Sequence, residues 1–234
     1  MGKDVIIACD FSSGEEVFDF LSKFTGKKPF VKIGMELFYS EGPDIVRRLH
    51  AAGHKIFLDL KLHDIPNTVK KAMAVLSGLN VEMCNLHAAG GSVMMKAALE
   101  GLTRPDGTRP LLIAVTQLTS TDQNIMENEL LIREPIDSVV SSYAENARRS
   151  GLDGVVCSPL EAEKVHDICG GDFLTVTPGI RFENGDAGDQ KRIMTPAAAR
   201  RAGSDYIVVG RPITAAADPV AAYELCLKDF TGGI

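Results

Sequence analysis

The chain has 234 residues, of which 45% are hydrophobic and 24% charged, and its formal net charge is −6. That length and apolar content suit one large α/β domain or two small ones, and the acidic balance argues against a nucleic-acid groove or an anionic membrane surface as the main partner, since both favour basic patches. Cysteines 9, 84, 157, 169 and 226 are odd in number and widely spaced, with no Cys-x-x-Cys pair, so free buried thiols are expected in place of disulfides or a zinc site.

Residues 1–4 lead straight into an apolar run, without the longer apolar region and cleavage site of a signal peptide, and a cytoplasmic location is expected. Strand-like runs then follow at 5–9, 30–33, 56–60, 83–86, 111–115, 154–156, 173–176 and 206–209. Segments with helical periodicity lie between most of them, at 15–24, 43–52, 68–79, 92–102, 136–150 and 196–202. Strand-helix alternation repeated eight times predicts an α/β fold, a (β/α)8 TIM barrel. No linker, low-complexity stretch or change of composition divides the chain, so a single domain over 1–234 is expected.

Nearly every predicted strand ends in a reactive or hydrogen-bonding group: Asp10, Lys32, Asp59 with Lys61, Asn85 with His87, Thr116 to Thr119, Ser158, Thr177-Pro178-Gly179 and Gly210-Arg211. In a barrel these would share the carboxyl-end rim, where such enzymes place their chemistry, with phosphate often bound after strands seven and eight. The densest cluster is Asp59-Leu60-Lys61-Leu62-His63-Asp64. A strand's period of two puts Asp59 and Lys61 on one face, where buried polar groups are costly unless paired, while Asp64 lies on the following loop. Carboxylates on either side favour the ammonium form of a lysine, which makes Lys61 a positioned proton source and a candidate general acid. A purely structural ion network is the competing reading of the same three residues. Asp10, Lys32 and Arg181 could likewise serve as ion-pair partners at the rim. His87 reads as a core or rim hydrogen-bonding residue, and His50, His54, His63 and His166 lack metal-ligand spacing on a helix face.

Six ordered motifs resemble the orotidine 5′-phosphate decarboxylase family across essentially the whole chain. They are Ala8-Cys9-Asp10, Val31-Lys32-Ile33-Gly34, the run from Phe57 through Thr68, Val115 through Ser120, Thr177-Pro178-Gly179-Ile180-Arg181 and Val208-Val209-Gly210-Arg211-Pro212. The resemblance implies decarboxylation of orotidine 5′-phosphate to UMP in pyrimidine biosynthesis, without cofactor or metal, by a homodimer with shared active sites. It implies that Lys61 donates a proton to C6, that Asp59 lies by the departing carboxylate, and that Asp64 and Thr68 act across the dimer interface. Asp10 and Lys32 would hold the ribose and Thr119 would face the pyrimidine amide. Gln190 would link base to phosphate, with Arg181, Gly210 and Arg211 on the phosphate side, and 182–189 would be the closing loop.

Two other functions compete. A magnesium-dependent sugar-phosphate decarboxylase or synthase of the same barrel suite shares the Asp-x-Lys-x-x-Asp run, but it resembles this chain less at position 32, where such relatives carry an acidic metal ligand and this chain carries lysine. A catalytically silent ligand-binding barrel would need the phosphate loops without needing a lysine between carboxylates.

Overall fold

A computed structural model of the chain describes residues 3–183 and 193–233. Eight strands, β1 (Asp4–Ala8), β2 (Phe30–Gly34), β3 (Ile56–Leu62), β4 (Met83–His87), β5 (Leu111–Val115), β6 (Gly154–Val156), β7 (Leu174–Thr177) and β8 (Tyr206–Val209), pair in parallel in chain order. β8 closes on β1 through Asp4 to Ile7 against Tyr206 to Val209. The expected (β/α)8 barrel is thus present, with strand ends displaced by at most two residues from the sequence reading.

Alternation along the strands sorts the apolar side chains into two cores. Val5, Ile7, Val31, Ile33, Ile56, Leu58, Leu112, Ala114, Ile207 and Val209 face outward and are buried against the helices. Ile6, Ala8, Phe30, Phe57, Met83, Ile113, Val176, Tyr206 and Val208 fill the barrel interior. Parallel strands buried on both faces read as continuous apolar runs, which is why these short segments were legible.

All six expected helices form, their ends displaced by no more than two residues, among them Pro43–Ala51, Pro66–Ser77, Gly91–Leu102 and Ile136–Arg149. The structure adds Met35–Glu41, Gln123–Asn128, Ala162–Cys169, Arg211–Thr214 and Pro219–Thr231. The last had a readable start, because Asp218 accepts from the Val220 and Ala221 N–H groups and Pro219 occupies the first turn. Helices Pro66–Ser77 and Gly91–Leu102 approach so closely that a Cβ on Gly101 would stand 2.0 Å from the Lys70 carbonyl oxygen. That contact fixes the helix that begins just after Asp64. No helix among the described residues is long and apolar enough to cross a membrane.

The amino ends of the strands carry carboxylates that satisfy exposed backbone donors. Glu82 accepts from the Ile56 N–H, Asp153 from Leu112 and Asp205 from Thr175, at 2.5, 2.7 and 2.8 Å. Arg109 also pairs with Asp153. The charges at this end are tied into the fold.

Candidate active site

The inward alternation that builds the barrel core also builds the site above it. Two positions beyond Ala8, Phe30, Phe57 and Met83 come Asp10, Lys32, Asp59 and Asn85, so an apolar layer is followed directly by a polar one. Lys32, Asp59 and Asn85 are only 8%, 7% and 1% exposed, and buried charges of this kind require partners.

They find them in one another. The Lys32 Nζ donates to Asp10 Oδ1 at 2.8 Å and lies 3.4 Å from Asp59 Oδ2. Lys61 Nζ donates to Asp59 Oδ1 at 2.7 Å. The order Asp10, Lys32, Asp59, Lys61 is therefore a chain of alternating charge, with Asp59 between two ammonium groups. Burial pushes the Asp59 carboxyl up, but Lys32, Lys61 and hydrogen bonds from Lys61 and Asn85 outweigh it and hold the group below its usual range. Burial opposes the charge on Lys32 as well, yet Asp59 and Asp10 raise it above the ordinary lysine value.

The Lys61 backbone is the unusual part. Its φ is +52°, in the left-handed region that costs a non-glycine residue roughly 1 kcal/mol or more. The β3–β4 ladder breaks at the same place: Leu58 pairs with Cys84 and Leu62 with Leu86, so four residue steps on β3 span two on β4. The simple period of two expected through this segment stops at the bulge, although Asp59 and Lys61 still meet. Asn85 fills the gap, accepting the Lys61 N–H at Oδ1 (2.8 Å) and donating Nδ2 to Asp59 Oδ1 (2.7 Å). On the other side, Gly34 lies in register with Asp59, and a Cβ there would stand 3.1 Å from Lys32 Nζ and 3.2 Å from Asp10 Oδ1. Glycine makes room for that ion pair.

Two adjoining cavities open over these groups, of about 220 and 490 Å3, the second within the size range of small-ligand sites. The first is lined by the charged Lys32, Asp59 and Lys61, the apolar Phe57, Val115, Val156 and Val208, and the polar Gln117, Thr119 and Ser120. The second runs from Asp10 and Lys32 to Gly179, Arg181, Gly210 and Arg211. Pro178 and Val208 line both, so the charged chain and the two arginines border one continuous hollow. Thr119 is buried at the edge of the first cavity. Arg181 donates from Nη1 to the Ile180 carbonyl at 2.8 Å. At Gly210 a Cβ would meet only Ala8 Cβ at 3.5 Å, so no protein atom demands glycine there.

The structure thus brings together Asp10, Lys32, Asp59, Lys61, Thr119, Arg181, Gly210 and Arg211. Asp64 and Thr68 are different. Both are exposed, Asp64 accepts from the Ile65 N–H at 2.6 Å, and it makes no ion pair with Lys61 of its own chain. Of the two carboxylates flanking Lys61 in sequence, only Asp59 reaches it within one chain. Gln190 lies outside the described residues, as does 184–189 of the expected closing loop. The role of Asn85 was not apparent from sequence, although a buried amide at a strand end beside charged neighbours was the available signal. His87 packs near His63, ring centroids 5.7 Å apart, and burial, His63 and Lys61 lower its pKa. No three His, Cys, Asp or Glu side chains among the described residues form a metal-ligating group.

Comparison with known proteins bears on the family and the fold. Residues 3–226 match the model of the orotidine 5′-phosphate decarboxylase / HUMPS family. Orotidine 5′-phosphate decarboxylases of Bacillus cytotoxicus and Bacillus mycoides are 55% and 54% identical to this chain, with 99% of each chain covered. The crystal structure of orotidine 5′-phosphate decarboxylase from Lactobacillus acidophilus superimposes with a TM-score of 0.87 at 47% identity, covering 97% of this chain and 99% of that one. A conserved protein from Geobacillus kaustophilus, described as uncharacterised, gives 0.86 at 49% identity with the same coverage.

Proposed function

The chain belongs to the orotidine 5′-phosphate decarboxylase / HUMPS family, and from that membership we propose that it converts orotidine 5′-phosphate to UMP in pyrimidine biosynthesis, with Lys61 as the proton donor. The observation that carries the reading is the Lys61 ammonium, held 2.7 Å from Asp59 at the edge of a largely apolar cavity.

The C6–carboxylate bond breaks, CO2 departs, and its electron pair stays on a ring carbon that cannot delocalise it well. A fixed positive charge at that carbon supplies the missing stabilisation, and it needs no reorganisation because the protein has already oriented it. Lys61 then gives its proton to C6 and recovers one from solvent. Asp59 stands beside the departing carboxylate and aims Lys61. Its negative charge raises the ground state only to the extent that the two carboxylates face each other before reaction.

Asp10 and Lys32 hold the ribose hydroxyls, and Thr119 faces the pyrimidine amide. Arg181, Gly210 and Arg211, with Gln190, take the phosphate. Binding energy from that remote group holds the base against Lys61. Asp64 and Thr68 serve the neighbouring subunit of a homodimer, a reading supported by the exposure of both and by the absence of an ion pair between Asp64 and its own Lys61. The reaction takes place in the cytoplasm, in a single domain, without a cofactor.

A magnesium-dependent reaction of the same barrel suite is disfavoured by position 32, where an ammonium pairs with Asp10 and Asp59. Such a charge would repel a divalent cation from those carboxylates. The test is the loss of orotidine 5′-phosphate absorbance with purified protein, before and after chelator treatment. Equal turnover in both is expected. No turnover would overturn the substrate, and turnover restored only by magnesium would overturn the metal-free route.

A further inference from the structure

Resting on the decarboxylase reading above, we propose that Asn85 is the positioning residue of the site: its side-chain amide pins the Lys61 backbone and the Asp59 carboxylate together, so that the proton donor is set before substrate arrives. Three observations converge on it. The ladder between β3 and β4 is interrupted between Leu58 and Leu62, which withdraws the ordinary strand partner from the Lys61 N–H. Lys61 sits at φ +52°, a conformation that surrounding structure must impose. Asn85, 1% exposed, meets both neighbours at 2.7–2.8 Å with one planar group.

The orientation of that amide follows from its partners. The Lys61 N–H can only donate, so it needs the amide oxygen, and the Asp59 carboxylate can only accept, so it needs the NH2. Reversal would set donor against donor and oxygen against carboxylate. Asparagine is therefore matched at both ends. Aspartate has nearly the same shape, but it keeps only the acceptor for Lys61 and places a second negative charge beside Asp59. Alanine keeps neither contact.

Asn85→Ala and Asn85→Asp separate this role from simple packing. For Asn85→Ala, kcat should fall roughly 10- to 100-fold, the range for losing hydrogen bonds to a charged group, with UMP affinity changing far less. Hydrogen exchange at the Lys61 amide should accelerate in Asn85→Ala and stay slow in Asn85→Asp. The groups facing Asp59 are Lys32 from β2, Lys61 from β3, and Asn85 and His87 from β4, with Asp10 reached through Lys32. A carboxylate at 85 makes ionisation of Asp59 harder, so the acid limb of kcat in Asn85→Asp should move to higher pH by about one unit or more.

Wild-type kcat with a protected Lys61 amide in folded Asn85→Ala would overturn the proposal, and so would a wild-type pH profile in Asn85→Asp. The isosteric aspartate variant decides alone if the alanine variant does not fold. A wild-type protein that fails to turn over orotidine 5′-phosphate would instead overturn the decarboxylase reading, and amide exchange would still score Asn85.

Discussion

Lys61 reaches back to Asp59, two residues earlier on the same strand, by turning into the left-handed region at φ +52° and placing Nζ 2.7 Å from Oδ1. Because Lys32 reaches the other carboxylate oxygen at 3.4 Å, Asp59 retains a cation when either lysine is removed. The lysine at 61 can therefore be changed without leaving a buried carboxylate alone, which makes its chemical role separable from stability.

On the decarboxylase reading, Lys61→Ala should fold, bind UMP measurably and lose turnover. Lys61→Arg and Lys61→Met should fail as well, because guanidinium is too basic to release a proton and the thioether has none. Near wild-type decarboxylation by folded Lys61→Ala, followed by substrate absorbance, would end the proton-donor assignment.

The pH behaviour follows from the signs of two shifts. Asp59 is depressed below the ordinary carboxylate value of 3.8, so its contribution to stability is complete above that value and disappears as pH falls through the folded pKa beneath it. Lys32 is raised above 10.5, so its contribution is complete below that value and is lost as pH rises past the folded pKa above it. Removing the Lys32 charge leaves burial less opposed at Asp59 and moves its titration upward. Lys32→Met should accordingly shift the acid limb of unfolding to higher pH, measured by circular dichroism across an acid titration. An unchanged limb would show that Lys32 does not govern the charge on Asp59.

Remote phosphate binding should appear in catalytic efficiency. Arg211→Ala is expected to lose about 1.5–3 kcal/mol of transition-state stabilisation, the scale of a charge-assisted hydrogen bond. Orotidine without its phosphate should suffer at least comparably with the wild-type enzyme. If phosphate-free orotidine is processed as efficiently as the nucleotide, the function assigned to the second cavity is wrong.

A shared site predicts complementation. In a C2 dimer of Lys61→Ala and Asp64→Asn subunits, one site carries both lesions and the other neither. Random mixing makes half the dimers heterodimeric, each with one intact site in two, so activity should return to roughly a quarter of wild type from two nearly inactive parents. Differently tagged chains verify exchange. Confirmed exchange with no recovered activity would place Asp64 in its own subunit's site.

The barrel was legible because its signals are local. Apolar runs such as 111–115 and 206–209 are buried on both faces and needed no knowledge of their partners, and the buried free state of all five cysteines matched their apolar surroundings. The same alternation that buries Phe57 sends Asp59 into the interior, so the charged rim could be read from residue types at strand ends. Short added helices such as Arg211–Thr214 were less accessible, since four residues hold barely one turn of periodicity.

By itself the sequence determined that Asp10, Lys32, Asp59 and Lys61 lie at one end of a parallel barrel, because strand period and strand order depend on residues close in the chain. Tertiary structure alone decided how those charges connect. Lys32 meets Asp59 only because β2 and β3 are paired with Gly34 beside Asp59, and Lys61 takes its left-handed turn where the register with β4 slips and Asn85 replaces the missing ladder partner. These contacts join residues more than twenty positions apart through distances of a few ångströms, and no local pattern encodes a relationship that exists only once the strands have closed.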